Sequence, residues 1–256
     1  MNIRSNAKIN YNLKIVGRKD GYHLLDSIFV PIDIYDDIEI MESDRDEIIG
    51  MDIDFEKNII YKSICLMREL YDINKKYIVM IKKRIPMEAG LGGGSSNAAS
   101  TLILMNEMNH LNLTKERLAE IGLKIGSDVP FFIYNKTANV QGRGEIIKLI
   151  GEKKLYGVLV FDDLKFSTKE VYDTYDHITK TGNLSNDLEE AARVLPNGKR
   201  IEEIEKDLLD NGAYYVSLSG SGGAIFGLFN NKEDTTKVES RLKNKYHYVK
   251  RFESIA

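Results

Sequence analysis

The chain has 256 residues, of which 43% are hydrophobic and 29% charged, and its formal net charge is −3. That length suits one large domain or two ordinary ones, and the absence of a basic block argues against nucleic acid as a partner. A single cysteine, Cys65, excludes an intramolecular disulfide and a cysteine metal cluster. No apolar leader with a cleavage site and no apolar run of 18 residues is found. We therefore expect a cytoplasmic protein without membrane contact.

The first eighty residues predict several strands and one helix. Residues 6–16 alternate apolar and polar side chains, which places Ala7 and Ile9 on one face and Lys8 and Asn10 on the other. This alternation is typical of a half-buried strand, with the polar face toward solvent. The same kind of pattern predicts a turn at 17–21, strands at 27–30, 37–41 and 77–81, and a helix at 58–70.

A glycine-rich loop follows the strand at 77–81. Four glycines in five positions, Gly90 and 92–94, let backbone N–H groups converge and let a large anion approach. Ser95 and Ser96 come next, and then a helix to about His110, whose first turn adds free N–H donors. No lysine follows the glycines, as it does in a P-loop, and a serine stands where the dinucleotide fingerprint needs a third glycine. The loop therefore predicts phosphate binding of another kind, which for a nucleoside triphosphate leaves a small set of kinase families.

The remainder of the chain alternates helices and strands. Thr114 is expected to cap a second helix, which ends at Gly126. The apolar run at 156–161 predicts a buried strand that starts a second half, so we place a boundary between domains 1–153 and 154–256. Mixed elements of this kind predict an α+β protein with two layers per half. The other elements expected are helices near 186–195, 200–210 and 233–244, a strand–glycine loop–strand unit at 216–228, and a last strand at 246–251.

Three motifs in fixed order resemble those of the GHMP kinases: residues 6–10, 86–99 and 217–223. The resemblance covers nearly the whole chain and implies a two-domain GHMP kinase fold, with an N-terminal half like ribosomal S5 domain 2 and a ferredoxin-like C-terminal half. It also implies ATP and Mg²⁺. Three further segments (17–23, 126–132 and 185–189) are similar to those of the members that phosphorylate the 2-hydroxyl of a cytidine diphosphate-linked methylerythritol, in the non-mevalonate route to isoprenoids.

The resemblance implies two catalytic residues. Asp128 matches the family's proton acceptor, and its position between Gly126 and Pro130 holds its backbone rigidly. Lys8 matches its partner, which would keep the carboxylate ionised and offset charge on the transferring phosphoryl group. From the residues alone, Asp128 could simply shape a turn and Lys8 could be a solvated strand lysine.

The resemblance also implies where ATP binds. Asn58 and Lys83 match positions that line the adenine pocket, although a helix cap and a surface charge are the plain alternatives. The chain shows no cluster of ligands spaced for a metal cage, so Mg²⁺ would be carried by the ATP oxygens. Glu88 would repel phosphate and is expected to face water. The phosphates are expected on residues 90–96, where the last two would add hydroxyl donors. The ATP-binding residues expected in this loop are Pro86, Met87, Glu88, Ala89, Gly90, Leu91, Gly92, Gly93, Gly94, Ser95 and Ser96.

For the acceptor, the resemblance implies that Tyr22 and His23 hold a cytosine, because an aromatic ring stacks on the base and polar groups read its edge. The remaining residues expected at the acceptor are Asn10, Phe29, Tyr172, Ser219, Gly220, Ser221 and Gly222.

Two other functions stay open at this point. A GHMP kinase for homoserine, mevalonate or a sugar would have no cytosine to bind, which the Tyr22–His23 pair argues against. A nucleotide-binding regulator would not need both Lys8 and Asp128. The pattern is compatible with a monomer or a homodimer.

Overall fold

Two β-sheets pack face to face, and each carries helices on its outer face. The computed structural model describes residues 1–151, 154–162 and 164–255. The predicted α+β class is confirmed. The strands are β1 Asn2–Lys19, β2 Tyr22–Ser43, β3 Glu47–Ile49, β4 Lys76–Lys82, β5 Ala138–Gly142, β6 Ile146–Leu149, β7 Tyr156–Phe161, β8 Tyr215–Leu218, β9 Ile225–Phe229 and β10 Tyr248–Glu253. The α-helices are α1 Ile59–Tyr71, α2 Gly93–Met108, α3 Lys115–Leu123, α4 Val129–Tyr134, α5 Thr168–His177, α6 Asp187–Val194, α7 Lys199–Asp210 and α8 Lys232–Leu242.

The first sheet is built on a long antiparallel hairpin of β1 and β2. Its turn lies at Asp20 and Gly21, whose φ angles of 50° and 80° suit a tight connection. The other edge of β2 pairs with β4 and β5, so that the order is β3-β4-β2-β5-β6. The two strands predicted at 27–30 and 37–41 are parts of one strand. Asp36 interrupts the apolar pattern there, and it is tolerated because it is buried among hydrogen-bond donors.

Helices α1–α4 cover the outer face of the first sheet and enclose the largest core. The predicted cap is confirmed at Thr114, which accepts a hydrogen bond from Arg117 N–H. Asn58, for which a cap was the plain alternative, accepts one from Ile60 N–H. The six-residue α4, which begins immediately after Asp128, was not predicted because such a short apolar run has no helical period of its own.

The second sheet has the antiparallel order β10-β7-β9-β8 and carries α5–α8. Strand β9 is buried on both faces: Ile225 and Phe229 pack under the helices, whereas Phe226 and Leu228 pack toward the first sheet. The expected domain boundary at Lys153 lies outside the described residues and stays a prediction. No helix of the described residues is long and apolar enough to cross a bilayer.

Strand β1 belongs to both halves of the molecule. Its first part pairs within the first sheet, but Leu13 N–H donates to the Ser185 carbonyl at 2.9 Å and Lys14 Nζ lies 2.8 Å from Asp187 Oδ1. The Tyr11 ring stacks on Tyr215 of β8, with centroids 4.9 Å apart. Strand β1 therefore belongs to the first sheet and also contacts the second half of the molecule directly.

Candidate active site

A cleft of about 710 Å³ lies between the β1–β2 hairpin and α5. Two glycine-rich segments form its floor: residues 86–96, here the first glycine loop, and residues 219–223, the second glycine loop. Groups that are far apart in the sequence meet in this cleft: Lys8 and Asn10 lie on β1, and Asp128 is the residue immediately before α4.

Lys8 is buried, with only 4% of its surface exposed, and Asn10 is buried to 1%. The expectation that this face of the strand meets solvent is therefore wrong, because the hairpin, α4 and the glycine loops enclose it. Lys8 Nζ donates to Asn10 Oδ1 and lies 4.7 Å from the centre of the Phe29 ring. Burial lowers the pKa of Lys8, and the charge of Asp128 opposes that shift.

Asp128 Oδ2 lies 3.8 Å from Lys8 Nζ, and 30% of its side chain is exposed. Its carboxylate makes no capping hydrogen bond to α4, so the alternative of a turn-forming aspartate has no support in its side-chain contacts. Val129 and Pro130 begin α4 immediately after it, and both are buried. The carboxylate is thus held on a rigid backbone with one face toward a buried ammonium and the other toward the cleft.

The first glycine loop is held closely by its neighbours. Gly90 has a φ of 79°, and a Cβ there would come within 1.9 Å of the Ser219 carbonyl oxygen. Lys8 N–H also donates to the Leu91 carbonyl at 3.0 Å. By contrast, a Cβ on Gly94 would meet only Ile59, at 4.0 Å. Gly90 is therefore required by packing, whereas Gly94 leaves open space at the start of α2.

The side chains of the first glycine loop divide into two groups. Ala89 and Leu91 are buried in the core between the sheets, so only their backbones can face a ligand. Glu88 is exposed, as expected, and so is Met87. The Ser96 side chain is buried, and its hydroxyl accepts a hydrogen bond from Ser5 at 2.8 Å, so it turns toward β1.

The second glycine loop is fixed from below by Asn186, whose side-chain N–H groups donate to the carbonyls of Leu218 and Gly220 at 2.9 and 2.7 Å. Gly220 and Ser221 line the cleft. Ser219 and Gly222, also expected at the acceptor, are not among the residues that line the cleft. Both are buried, Ser219 Oγ donates to the Gly90 carbonyl, and Gly222 packs on the backbone of Gly90.

The side chains expected to hold the acceptor's base lie at the outer end of the cleft. The His23 ring is 4.9 Å from the ring of Tyr172, centre to centre, and Tyr22 is half exposed. Burial, with a smaller effect of the Asp128 charge, raises the pKa of Tyr172 to about 12, so this side chain is a neutral ring and donor at physiological pH. Phe29 is buried to 2% and forms the floor beneath Lys8.

Several charged residues in or beside the cleft were missed from the sequence. Arg143 stacks its guanidinium 3.5 Å from the centre of the Tyr22 ring, and its glycine neighbours 142 and 144 are the only signal that marked it. Arg18 lines the cleft from the hairpin, and Asp173 lines it from α5, with Asp176 one turn along. Helix α5 was not predicted, because only two of its ten residues are buried and the segment is polar overall.

Asn58 and Lys83 lie away from the main cleft. Asn58 is buried and caps α1, which is the alternative to adenine binding that the sequence offered for it. Lys83 is half-buried and forms an ion pair with the buried Asp36, whose Oδ2 lies 2.5 Å from its Nζ. The alternative of a surface charge is therefore wrong. It lines a second cavity of about 460 Å³ with Pro86 and Met87. Within the described residues, no group of three or more His, Cys, Asp or Glu side chains is placed to hold a metal ion.

Comparison with known proteins matches the two parts of the chain to one family. The model described as the GHMP kinases N terminal domain matches residues 58–136, and the model of the GHMP kinases C terminal region matches residues 177–247.

Individual relatives give the same result over most of the chain. The 4-diphosphocytidyl-2-C-methyl-D-erythritol kinase of Clostridioides difficile (strain 630) is 39% identical, over 96% of this chain and 93% of its own. The enzyme of that name from Thermodesulfovibrio yellowstonii is also 39% identical, over 91% and 90%. A crystal structure of 4-(cytidine 5′-diphospho)-2C-methyl-D-erythritol kinase superposes with a TM-score of 0.87 over all of both chains at 25% identity. The mevalonate kinase of Methanococcus jannaschii, at 16% identity and a TM-score of 0.72, shares the fold.

Proposed function

Because the chain belongs to the 4-diphosphocytidyl-2-C-methyl-D-erythritol kinases, a family of GHMP kinases, we propose that it transfers the γ-phosphoryl group of ATP to the 2-hydroxyl of that cytidine-linked alcohol. The predicted family, the two-domain GHMP kinase fold and the phosphotransferase class are confirmed by the comparisons. The acceptor, the roles of the site residues and the cytoplasmic location are parts of the proposal. The cleft groups named above all come from one chain, so a monomer or a homodimer would serve.

The observation that carries the proposal is the pair of Lys8 and Asp128 facing each other at 3.8 Å between the two glycine loops. Transfer of a phosphoryl group needs alignment, charge stabilisation and an acceptor for the hydroxyl proton. Asp128 accepts that proton as the hydroxyl oxygen forms its bond to the γ-phosphorus. The bond from the γ-phosphorus to the bridging oxygen breaks, and ADP leaves with the electron pair.

Lys8 has a second task in the proposed reaction. Its ammonium is buried and hydrogen-bonded to the neutral Asn10, and the Asp128 carboxylate lies 3.8 Å away, so much of its charge is available to a ligand. A cation aimed at the transferring group in such a poorly hydrated place stabilises the charge that develops there. Its neighbour also keeps Asp128 ionised before transfer.

The ATP phosphates would lie over the first glycine loop. Gly92 adopts the left-handed conformation and begins α2 without a side-chain cap, which leaves the N–H groups of that first turn for an anion. Open space at Gly94 fits a phosphate there. Because the described residues bring no three His, Cys, Asp or Glu side chains together, Mg²⁺ would be held chiefly by the nucleotide, where it neutralises phosphate charge.

The acceptor's cytosine would lie at the outer end of the cleft. Tyr22, His23 and Tyr172 offer flat faces and polar edges there, and a pyrimidine ring needs both. Homoserine and mevalonate have no ring to occupy this end. The aromatic group therefore favours a cytidine-linked acceptor over the other acceptors of GHMP kinases.

The experiment is an ATP-consumption assay with 4-diphosphocytidyl-2-C-methyl-D-erythritol beside mevalonate, homoserine and galactose. We expect turnover with the cytidine substrate alone, and its loss in Asp128→Ala and in the isosteric Asp128→Asn. ATP binding measured by calorimetry is the control that both variants are folded. Turnover with another alcohol would overturn the acceptor, and full activity of Asp128→Asn would overturn the assignment of the base.

A further inference from the structure

One carboxylate joins the tip of the β1–β2 hairpin to α5. Asp176 Oδ1 lies 2.7 Å from His23 Nε2, and its other oxygen lies 3.0 Å from Arg18 Nη1. Arg18 and His23 stand on the two strands of the hairpin, opposite each other in register. The carboxylate thus accepts a hydrogen bond from each strand just below the turn.

This contact determines which ring nitrogen of His23 carries a hydrogen toward Asp176. The hydrogen bond from His23 is the main cause that lowers the pKa of Asp176, so the carboxylate is ionised at neutral pH and can only accept. The ring must then carry a hydrogen on Nε2, the nitrogen that faces the carboxylate. Tyr172 lies against the ring at 4.9 Å and Tyr175 meets it edge-on at 6.1 Å, so its orientation is fixed.

The same contact defines the width of the outer cleft. Asp176 and Tyr172 are four residues apart on α5 and therefore lie on one face of the helix. His23 follows Tyr22 directly on β2. Holding His23 against Asp176 therefore sets the distance between the aromatic rings of the hairpin and the ring of Tyr172.

We propose that Asp176 is a positioning residue for the acceptor: it fixes the tautomer and orientation of His23 and holds the hairpin tip, with Tyr22, at a set position relative to α5. The inference rests on the proposed function of Tyr22 and His23. An exposed ion pair without such a role contributes little to stability and nothing to substrate binding. The His23 side chain, however, is only 13% exposed, which separates this contact from ordinary surface pairs.

The test is Asp176→Asn, which keeps the shape of the side chain and removes its charge. We expect the KM for the cytidine substrate to rise about tenfold, because a hydrogen bond to a charged partner is lost. The kcat is expected to stay within about twofold, and the KM for ATP should not change, since the reacting groups lie elsewhere. Asp176→Glu, which restores the carboxylate, should recover part of the affinity.

A spectroscopic readout distinguishes positioning from mere stability. In ¹⁵N spectra of the full chain, the His23 ring is expected as the Nε2–H tautomer in the wild type, and as a mixture of tautomers in Asp176→Asn. Glu170→Gln is the matched control, because it makes the same charge change at an exposed site on the same helix. It should alter neither the ring signals nor the KM.

The outcomes separate this inference from the proposed function. If Tyr22→Ala and His23→Ala leave the KM for the cytidine substrate unchanged, the assigned base site is wrong and the role of Asp176 is overturned with it. If those two variants raise the KM while Asp176→Asn changes neither the KM nor the His23 signals, only the positioning role is overturned. A fall in kcat at unchanged KM in Asp176→Asn would also contradict it.

Discussion

Two clusters of buried charge adjoin the second glycine loop, and they are built differently. On the cleft side, Lys8 has one carboxylate at 3.8 Å and a neutral amide as its hydrogen-bond partner. On the far side, Arg193 Nη2 lies 2.7 Å from a Glu189 oxygen and 2.5 Å from a Glu205 oxygen. The other oxygen of Glu189 accepts from Leu218 N–H at 2.9 Å, so this second cluster also holds the loop's backbone.

The difference separates charge that serves a ligand from charge that serves the fold. When a buried ion has several close partners, their attraction offsets the free-energy cost of removing the ion from water. The charge of a loosely paired ion is less compensated, so it acts more strongly on a ligand that enters the cleft. A change at Lys8 should therefore lower the turnover number without lowering the free energy of unfolding. A change in the Arg193 cluster should lower the free energy of unfolding.

The largest effect is expected for Lys8→Met, which removes the cleft charge but keeps an apolar stem. We expect kcat to fall on the order of 10²–10⁴, because both proton transfer and charge stabilisation are impaired. The free energy of unfolding should stay equal or rise, since a poorly compensated buried charge is gone. Steady-state kinetics and urea denaturation measure the two quantities. Near-normal turnover would show that Lys8 is not part of the catalytic pair.

The opposite pattern is expected for Glu189→Ala. This change leaves Arg193 and the Leu218 N–H without their buried partner, and the free energy of unfolding should fall by about 3–5 kcal/mol. Glu202→Ala is the matched control, because that carboxylate lies 3.7 Å from the same arginine but is largely exposed. It should cost about 0–1 kcal/mol. Equal costs for both variants in urea denaturation would contradict the comparison.

The smallest effect is a pH dependence carried by Glu205. Burial, and then the charge of Glu189, raise the pKa of Glu205 from 4.5 to about 9. Between these values the folded protein holds a proton that the unfolded chain has released, so this group's contribution to stability is complete below pH 4.5 and is lost as the pH rises toward 9.

Glu205→Gln removes that dependence, because an amide cannot ionise. Relative to the wild type, the variant should gain roughly 1–3 kcal/mol in free energy of unfolding between pH 5 and pH 9. Urea denaturation at a series of pH values measures it. Parallel curves for the two proteins would show that Glu205 does not hold its proton at neutral pH.

The sequence predicted those parts of the fold and of the site whose signal lies in one continuous segment. The first glycine loop, the Thr114 cap and the strand at 156–161 each depend on neighbouring residues, and all three are found in the structure. Lys8 and Asp128 are 120 positions apart, and it was the resemblance to a family that brought them together rather than any local pattern.

The parts that were not predicted depend on packing between distant segments. The Arg193 cluster needs α6 and α7 side by side, and nothing near Glu205 in the sequence marks it as buried. Ser96 has the same residue type as its neighbour Ser95, and only the approach of β1 determines that its hydroxyl turns inward to Ser5. Asp36 broke an apolar pattern because the donors that satisfy it lie nearly fifty residues away.

The sharing of β1 between the two sheets has a consequence for the order in which the molecule is made. The strand that carries Lys8 leaves the ribosome early, yet the groups that complete its surroundings, Ser185, Asp187 and Ser219, are among the late arrivals. At 5–20 residues per second, roughly 10–40 s separate them. The contacts that join β1 to the second half of the molecule therefore form late, whereas Lys8 and Asp128 have both been made by the time half of the chain is synthesised.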